Sequence, residues 1–82
     1  MAVFTSIGHE NYVCNSHVIA ILSTPRNSPN KRLREAAEFK NKLLDGTCGN
    51  KTRSIIVMSS NHIVLSAINS ETMAERFNSN AN

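Results

Sequence analysis

The segment Leu43–Met58 constrains the fold of this chain more than any other part of its sequence. It contains two short apolar stretches, joined by a polar loop that holds glycine and two cations. Gly49 allows a positive backbone φ, and Asn50 tolerates one better than most residues do. Such a loop turns tightly between strands and presents Lys51 and Arg53 from a rigid base. A basic loop on a sheet suits contact with a phosphate backbone better than catalysis.

The positive charge of the chain is concentrated around this loop. Eight of the nine Lys and Arg residues lie between Arg26 and Arg53 with three acidic residues, which gives the segment a charge of +5. The remainder holds one cation and three acids and carries −2. This asymmetry indicates a polyanionic partner, although a solvated helix face is the ordinary alternative cause of a charge cluster.

The length and composition indicate one small folded domain. The chain has 82 residues, of which 40% are hydrophobic, and we predict a single domain over residues 1–77 with a disordered tail over 78–82. No apolar run approaches the roughly 20 residues that cross a bilayer, and no signal peptide is recognisable, so a cytoplasmic protein without membrane contact is expected. Cys14 is expected in the core and Cys48 in the loop, with no metal-ligand spacing between them.

The apolar pattern predicts the strands of an α/β (α+β) domain. The expected strands are Val3–Ile7, Tyr12–Cys14, His17–Ser23, Leu43–Thr47, Arg53–Ser59 and His62–Ile68. They are expected to form an antiparallel or mixed sheet of about five strands, in which Tyr12–Cys14 pairs with His17–Ser23. The continuous apolar run Val18–Leu22 favours burial on both faces, and Ser59-Ser60-Asn61 is expected to turn the last hairpin.

Two helices complete the predicted domain. The central helix is expected over residues 29–40, with Ser28 as its N-cap, Pro29 at its first position and Asn41 as a left-handed stop. Its core-facing residues are expected to be Leu33, Ala36, Ala37 and either Phe39 or the stem of Lys40. A short C-terminal helix is expected from Glu71 to about Phe77, capped by Asn69 or Ser70.

Catalytic patterns are missing from the sequence. His9, His17 and His62 lie in separate predicted elements without the spacing of a metal site, and no nucleophile motif or glycine-rich phosphate loop is present. Asp45 is the one acid in a basic neighbourhood, which favours a structural hydrogen bond or ion pair with the loop over catalysis. The sequence therefore predicts a protein that is not an enzyme and has no cofactor or metal.

Several motifs in order resemble those of one bacterial family. The most specific are Leu44-Asp45-Gly46-Thr47, Lys51-Thr52-Arg53 before an apolar run, and His62-Ile63-Val64-Leu65-Ser66-Ala67-Ile68. Over about residues 5 to 77 the chain is similar to the RemA-type extracellular-matrix regulators. The resemblance implies a DNA-binding transcriptional activator of biofilm-matrix genes. It also implies a domain similar to the LytTR type and a homo-oligomeric ring around which DNA wraps.

The chain departs from the pattern of this family in the basic loop. The family usually has Thr-Tyr-Gly-Arg-Arg-Thr-Arg there, and Asn50 and Lys51 take the places of two arginines. His17 also stands where the family usually has arginine, and Gly8-His9-Glu10-Asn11 replaces a Gly-x-Gly-Asn turn. These changes leave open a structural or interaction module that keeps the ring and has lost most DNA binding. RNA or an anionic surface is a weaker third alternative.

The expected partners are double-stranded DNA and further copies of the chain. The predicted DNA-binding residues are Lys51 and Arg53 as central contacts, Lys31 and Arg32 at the helix start, and Asn50 through a phosphate or base edge. Alternatively, Arg53 pairs with Asp45 and only holds the loop. Self-association is expected because the apolar runs exceed what one small helix covers.

Overall fold

The computed structural model describes residues 3–24 and 30–79, with side chains from residue 32 onward in the second segment. The elements are β1 (Phe4–Gly8), β2 (Asn11–Cys14), a 3₁₀ turn (Asn15–His17), β3 (Val18–Ser23), α1 (Asn30–Phe39), β4 (Leu43–Asp45), β5 (Ser54–Met58), β6 (Ile63–Ser66) and α2 (Ser70–Ser79). Neither helix in these residues is long and apolar enough to cross a membrane.

The strands form two sheets rather than one. β1 and β2 make an antiparallel hairpin, and the other four strands form a mixed sheet in the order β3-β5-β6-β4, with β4 parallel to β6. The α+β class is therefore confirmed, whereas the prediction of one sheet of about five strands is wrong. The pairing of Tyr12–Cys14 with the following strand is also wrong, because a two-residue turn pairs β2 with β1 and the 3₁₀ turn then redirects the chain.

The mixed sheet has a hydrophobic layer on each face. Alternation along β5 directs Ile55 to the α1 face and Ile56 to the face covered by the β1–β2 hairpin and α2. The hairpin-side layer has Ile7, Val13, Ile56, Val64 and Met73 as its buried members. The α1-side layer has Ala37, Ile55, Ile63 and Leu65 as its buried members. β6 lies between two strands and is buried along its whole length.

The apolar run in β3 lies at an edge of the sheet. Ile21 contributes to the hairpin-side layer and Leu22 to the α1-side layer, but neither is fully buried. A register irregularity between Val18 and Ala20 turns Ile19 outward, where 66% of it is exposed. The expected burial on both faces of β3 is therefore only partial, since an edge strand is covered by a neighbouring strand on one side only.

The end of α1 follows the predicted stop at Asn41. This residue has a φ of 58°, and Lys42 N donates to Ala37 O at 2.7 Å while Asn41 N donates to Glu38 O at 3.1 Å. These two bonds form a Schellman motif, which satisfies carbonyls at the helix end. Ala37 is buried and Leu33 packs beside it, but Ala36, Phe39 and Lys40 are exposed, in contrast to the predicted core face. Ser28 and Pro29 lie outside the described residues.

α2 is capped by Asn69 and runs further than predicted. Asn69 Oδ1 accepts a hydrogen bond from Thr72 N at 2.8 Å. Of the two predicted candidates, Asn69 is therefore the N-cap of α2. Asn78 and Ser79 belong to the last turn of the helix rather than to a tail, and residues 80–82 lie outside the described part. Arg76 Nη1 donates to Ser6 O at 3.1 Å, which ties α2 to the β1–β2 hairpin.

Candidate nucleic-acid interface

The basic loop, residues 46–53, connects β4 to β5 across the end of β6. Gly46 N donates to Leu65 O at 2.9 Å, and Arg53 N donates to Ser66 O at 2.8 Å. Both ends of the loop are therefore anchored to the backbone of the most buried strand. This anchorage supplies the rigid base that the sequence predicts for the cations.

A tight turn from Thr47 to Asn50 lies within the basic loop. Asn50 N donates to Thr47 O at 3.0 Å, while Cys48 and Gly49 have φ values of 51° and 83°. Two central residues with positive φ are typical of a type I′ turn. The predicted positive φ at Gly49 is confirmed. Cys48, rather than Asn50, is the second left-handed residue.

Asp45 holds the first half of the basic loop. Its Oδ1 accepts hydrogen bonds from Thr47 N at 2.9 Å and from Thr47 Oγ1 at 2.6 Å. These two bonds hold the pKa of the Asp45 carboxyl below its ordinary value, burial opposes them with a smaller effect, and the positive charge of Arg34 lowers the pKa by the smallest contribution. Asp45 thus has the structural role that the sequence predicts. Its hydrogen-bond partner is Thr47 rather than Arg53, and Arg34 contributes only the smallest electrostatic effect on it.

Asp45→Asn is expected to reduce stability at neutral pH and to have less effect in acid. The folded-state pKa of Asp45 is lowered, so its ionisation stabilises the fold above the ordinary carboxyl pKa, and this contribution disappears as the pH falls through the lowered value. Because the side chain is exposed, the effect should stay below about 1 kcal/mol. Urea unfolding of both proteins at pH 7 and pH 3 measures it. Glu35→Gln is the control, and a pH-independent difference would contradict the expectation.

The two predicted central cations border an open groove. Lys51 and Arg53 are exposed, and they line a groove of about 350 Å³ together with Thr52, the end of β3 and the start of α2. Thr24 Oγ1 donates to Thr52 O at 3.1 Å, which fixes the loop beside β3. Ser70, the first residue of α2, lines the same groove, so the positive end of the helix dipole lies beside it. The groove therefore combines two exposed cations with a hydrogen-bonded backbone.

The other predicted contact residues are placed differently. Asn50 Nδ2 donates to Thr47 O at 2.9 Å and lies 3.1 Å from His9 Nε2, so the amide is engaged within the protein. Arg32 is exposed on the first turn of α1 and is not among the residues that line the groove. The side chain of Lys31 lies outside the described part. The structure thus brings together Lys51 and Arg53 out of the five predicted residues.

Sequence reasoning missed three residues that bear on the loop. Arg34 influences Asp45, Thr24 fixes Thr52, and His9 contacts Asn50 across 41 positions of sequence. The positive charge of Arg34 is evident from the sequence, but its proximity to Asp45 depends on how α1 packs beside β4. Within residues 3–24 and 30–79, no group of three or more His, Cys, Asp or Glu side chains is placed to hold a metal.

Comparison with known proteins identifies the family. A family model described as RemA-like, extracellular matrix regulatory protein A-like, matches residues 4–77. The chain belongs to this family. The match covers nearly the same residues as the resemblance found in the sequence motifs, and it includes both sheets, α1, the whole basic loop and most of α2 of the RemA-like domain.

Relatives of the RemA-like chain carry the name of a regulatory protein. One from Desulfatibacillum aliphaticivorans is 50% identical over 72 residues, which cover 88% of this chain and 80% of the relative. Another from Thermotoga petrophila is 52% identical over 75 residues, which cover 92% of this chain and 80% of the relative. A third, from Thermotoga maritima, has the same identity and coverage. The family and these names indicate a regulatory role.

Proposed function

We propose that this RemA-like protein regulates transcription by binding double-stranded DNA through the basic loop. In this proposal it acts in the cytoplasm, without catalysis, as an activator of extracellular-matrix genes. The observation that carries the proposal is the pair of exposed cations, Lys51 and Arg53, on a loop whose ends are hydrogen-bonded to β6. Cations on a fixed backbone bind phosphates with little loss of loop entropy on association.

The shape of the groove supports contact with a DNA backbone rather than with a small molecule. It is open and bordered by hydroxyl and amide side chains besides the two cations: Ser23, Thr24, Thr52, Asn69 and Ser70. Such groups are typical phosphate and sugar contacts. None of the described residues that line the groove is an aliphatic or aromatic residue of the kind that buries a small ligand. Recognition in this proposal depends on phosphate position and DNA shape.

Salt-dependent binding of duplex DNA tests this function. We expect the logarithm of the association constant to fall linearly with the logarithm of salt concentration, with a slope set by the number of phosphates contacted. Fluorescence anisotropy with a labelled duplex, measured from low to physiological salt, gives the slope. An equal response to single-stranded RNA would favour a different polyanion, and no binding at low salt would exclude the proposal.

We also propose that the protein assembles into a cyclic homo-oligomer. Large apolar side chains are exposed on the β1–β2 hairpin at Phe4 and Tyr12, and on the two edge strands at Ile19 and Leu44. These surfaces belong to different parts of the domain, so contact between them would be heterologous, which is the geometry that closes rings. A ring would repeat the basic groove and add the weak contacts of each subunit along one DNA.

Sedimentation velocity tests the assembly directly. At tens of micromolar the wild-type protein is expected to sediment as one species several times heavier than the 9.0 kDa chain. Ile19→Glu places a charge on an exposed edge and should shift the protein toward monomer without unfolding it. Glu75→Gln on α2 is a surface control. A wild-type monomer at these concentrations would contradict the proposal.

One observation favours the alternative, an assembly module with little DNA affinity. Where the family usually has arginine, Asn50 is uncharged and its amide is engaged by Thr47 and His9. Each loop therefore offers two cations where the usual pattern has three. The alternative predicts the same oligomer in sedimentation but no salt-dependent binding of DNA in the anisotropy experiment.

A further inference from the structure

The β1–β2 turn reaches the basic loop through His9. His9 Nε2 lies 3.1 Å from Asn50 Nδ2, and both side chains are exposed. Asn11, the first residue of β2, also lies close, since a Cβ built on Gly46 would be 3.7 Å from Asn11 Nδ2. The turn therefore flanks the first half of the loop, immediately before Lys51.

The contacts around Asn50 fix which atom donates and which accepts. Its amide nitrogen also donates to Thr47 O at 2.9 Å, so turning the amide over would place its oxygen against a carbonyl. The amide nitrogen has two hydrogens and no acceptor capacity. His9 Nε2 must therefore accept the second hydrogen. This requires a neutral imidazole with its proton on Nδ1.

The backbone of the turn is specialised for this placement. Gly8, His9 and Glu10 have φ values of 99°, 53° and 65°. The two central positions of such a turn favour Asn-Gly, and His9 and Glu10 occupy them at a conformational cost. The turn places His9 Nε2 beside Asn50 of the basic loop, which lies 41 residues away in the sequence.

We propose that His9 is a positioning residue for the basic loop, acting through Asn50. The neutral ring fixes the Thr47–Asn50 turn and thereby the direction in which Lys51 leaves it. Protonation turns Nε2 into a donor, so the contact with Asn50 is lost and the turn keeps only its own bonds to Thr47 O. This inference rests on the proposed DNA binding for its function, whereas the contact itself can be tested without DNA.

Other charged or titratable groups lie in the segments around this contact. Glu10 follows His9 in the turn, and the basic loop contributes Lys51 and the Cys48 thiol, with Asp45 at its base. Arg34 of α1 acts on Asp45. Any pH effect assigned to His9 must therefore be separated from these groups by a variant that keeps the acceptor and cannot take up a proton.

Nuclear magnetic resonance of the free protein tests the contact. At pH 8 the ¹⁵N shifts of His9 are expected to show the Nδ1–H tautomer, and the Asn50 side-chain amide signals should move with the protonation of His9 as the pH falls. His62, which contacts Ser60 through Nδ1, is the internal comparison, and its titration should leave the Asn50 signals unchanged. An Nε2–H tautomer of His9, or Asn50 amide signals that do not change when His9 is protonated, would overturn the proposal.

DNA affinity of two variants tests the consequence. At pH 8, His9→Ala should bind about three- to tenfold more weakly than wild type, which is the range expected for one lost hydrogen bond. His9→Gln should stay within about twofold, because its Oε1 occupies the position of Nε2 and accepts the same hydrogen. Between pH 8 and pH 5.5 the wild type should gain less affinity than His9→Gln.

The opposite result has a distinct meaning. If the wild type gains more than His9→Gln in acid and its salt slope steepens by about one, His9 contacts phosphate itself and the positioning role is wrong. If neither wild type nor variants bind DNA, the proposed function fails while the tautomer and the Asn50 titration still decide whether His9 holds the loop.

Discussion

Replacing Lys51 and Arg53 together by alanine is expected to lower affinity for duplex DNA at least about tenfold and to flatten the salt slope by about two. Both side chains are exposed at the groove, whereas the loop backbone is held by bonds at Gly46 and Arg53 that the substitutions keep. The effect should be similar for every DNA sequence, because phosphate contacts carry no base information. Anisotropy titrations over several salt concentrations measure both quantities.

The matched control removes two cations from another surface. Lys40 and Lys42 line a groove between α1 and the mixed sheet, away from the basic loop, so Lys40→Ala with Lys42→Ala has the same change of net charge. Sedimentation must show that both double variants keep the oligomer of the wild type. Equal loss of affinity in the two would mean that net charge, rather than this loop, determines binding.

Gly46→Ala is expected to cause the largest loss of stability of any single substitution in the loop, about 2 kcal/mol or more. A Cβ at this buried position would lie 2.9 Å from Leu65 O and 2.9 Å from Ile7 Cδ1. The isoleucine side chain can move, but the carbonyl belongs to the central strand and already accepts the bond from Gly46 N. Thermal unfolding should show a decrease in Tm of roughly 10 °C.

Gly49→Ala is the control that separates the cost of steric crowding from the cost of an unfavourable backbone conformation. A Cβ on Gly49 would meet nothing within 4 Å, so this variant has only the cost of the positive φ of 83°, roughly 1 kcal/mol. If Gly46→Ala were no more destabilising than Gly49→Ala, the close approach of the loop to Leu65 would not be a constraint on the fold.

The features that could be predicted from sequence are those decided by neighbouring residues. Asn41 ends a helix and Gly49 turns a loop because their own side chains permit the backbone conformation. The turn before β6 is confirmed for the same reason, with Asn61 in the left-handed region and its N–H bonded to Met58 O. Local chemistry is therefore sufficient to predict this helix end and these turns without knowledge of the tertiary packing.

The errors arose where distant segments decide the outcome. The run in β3 has the composition of a buried strand, but its edge position follows from the pairing of β6 with β4, which no residue in β3 encodes. Phe39 is 89% exposed because α1 packs through Leu33 and Ala37 instead. At the site, the sequence motif is sufficient to predict the exposed cations Lys51 and Arg53. The contact between His9 and Asn50 depends on two segments that meet only in the folded chain.

The position of β6 in the mixed sheet also determines when the protein becomes competent during folding. β6 follows both of its neighbours, β4 and β5, in the chain and must enter between them. Its pairing with β5 is local, but the parallel pairing with β4 closes a longer segment and carries the greater entropic cost. The two bonds that anchor the basic loop end on Leu65 and Ser66. A nascent chain therefore holds Lys51 and Arg53 in their final positions only after its last strand has been inserted, so under the proposed function incompletely folded copies would compete poorly for DNA.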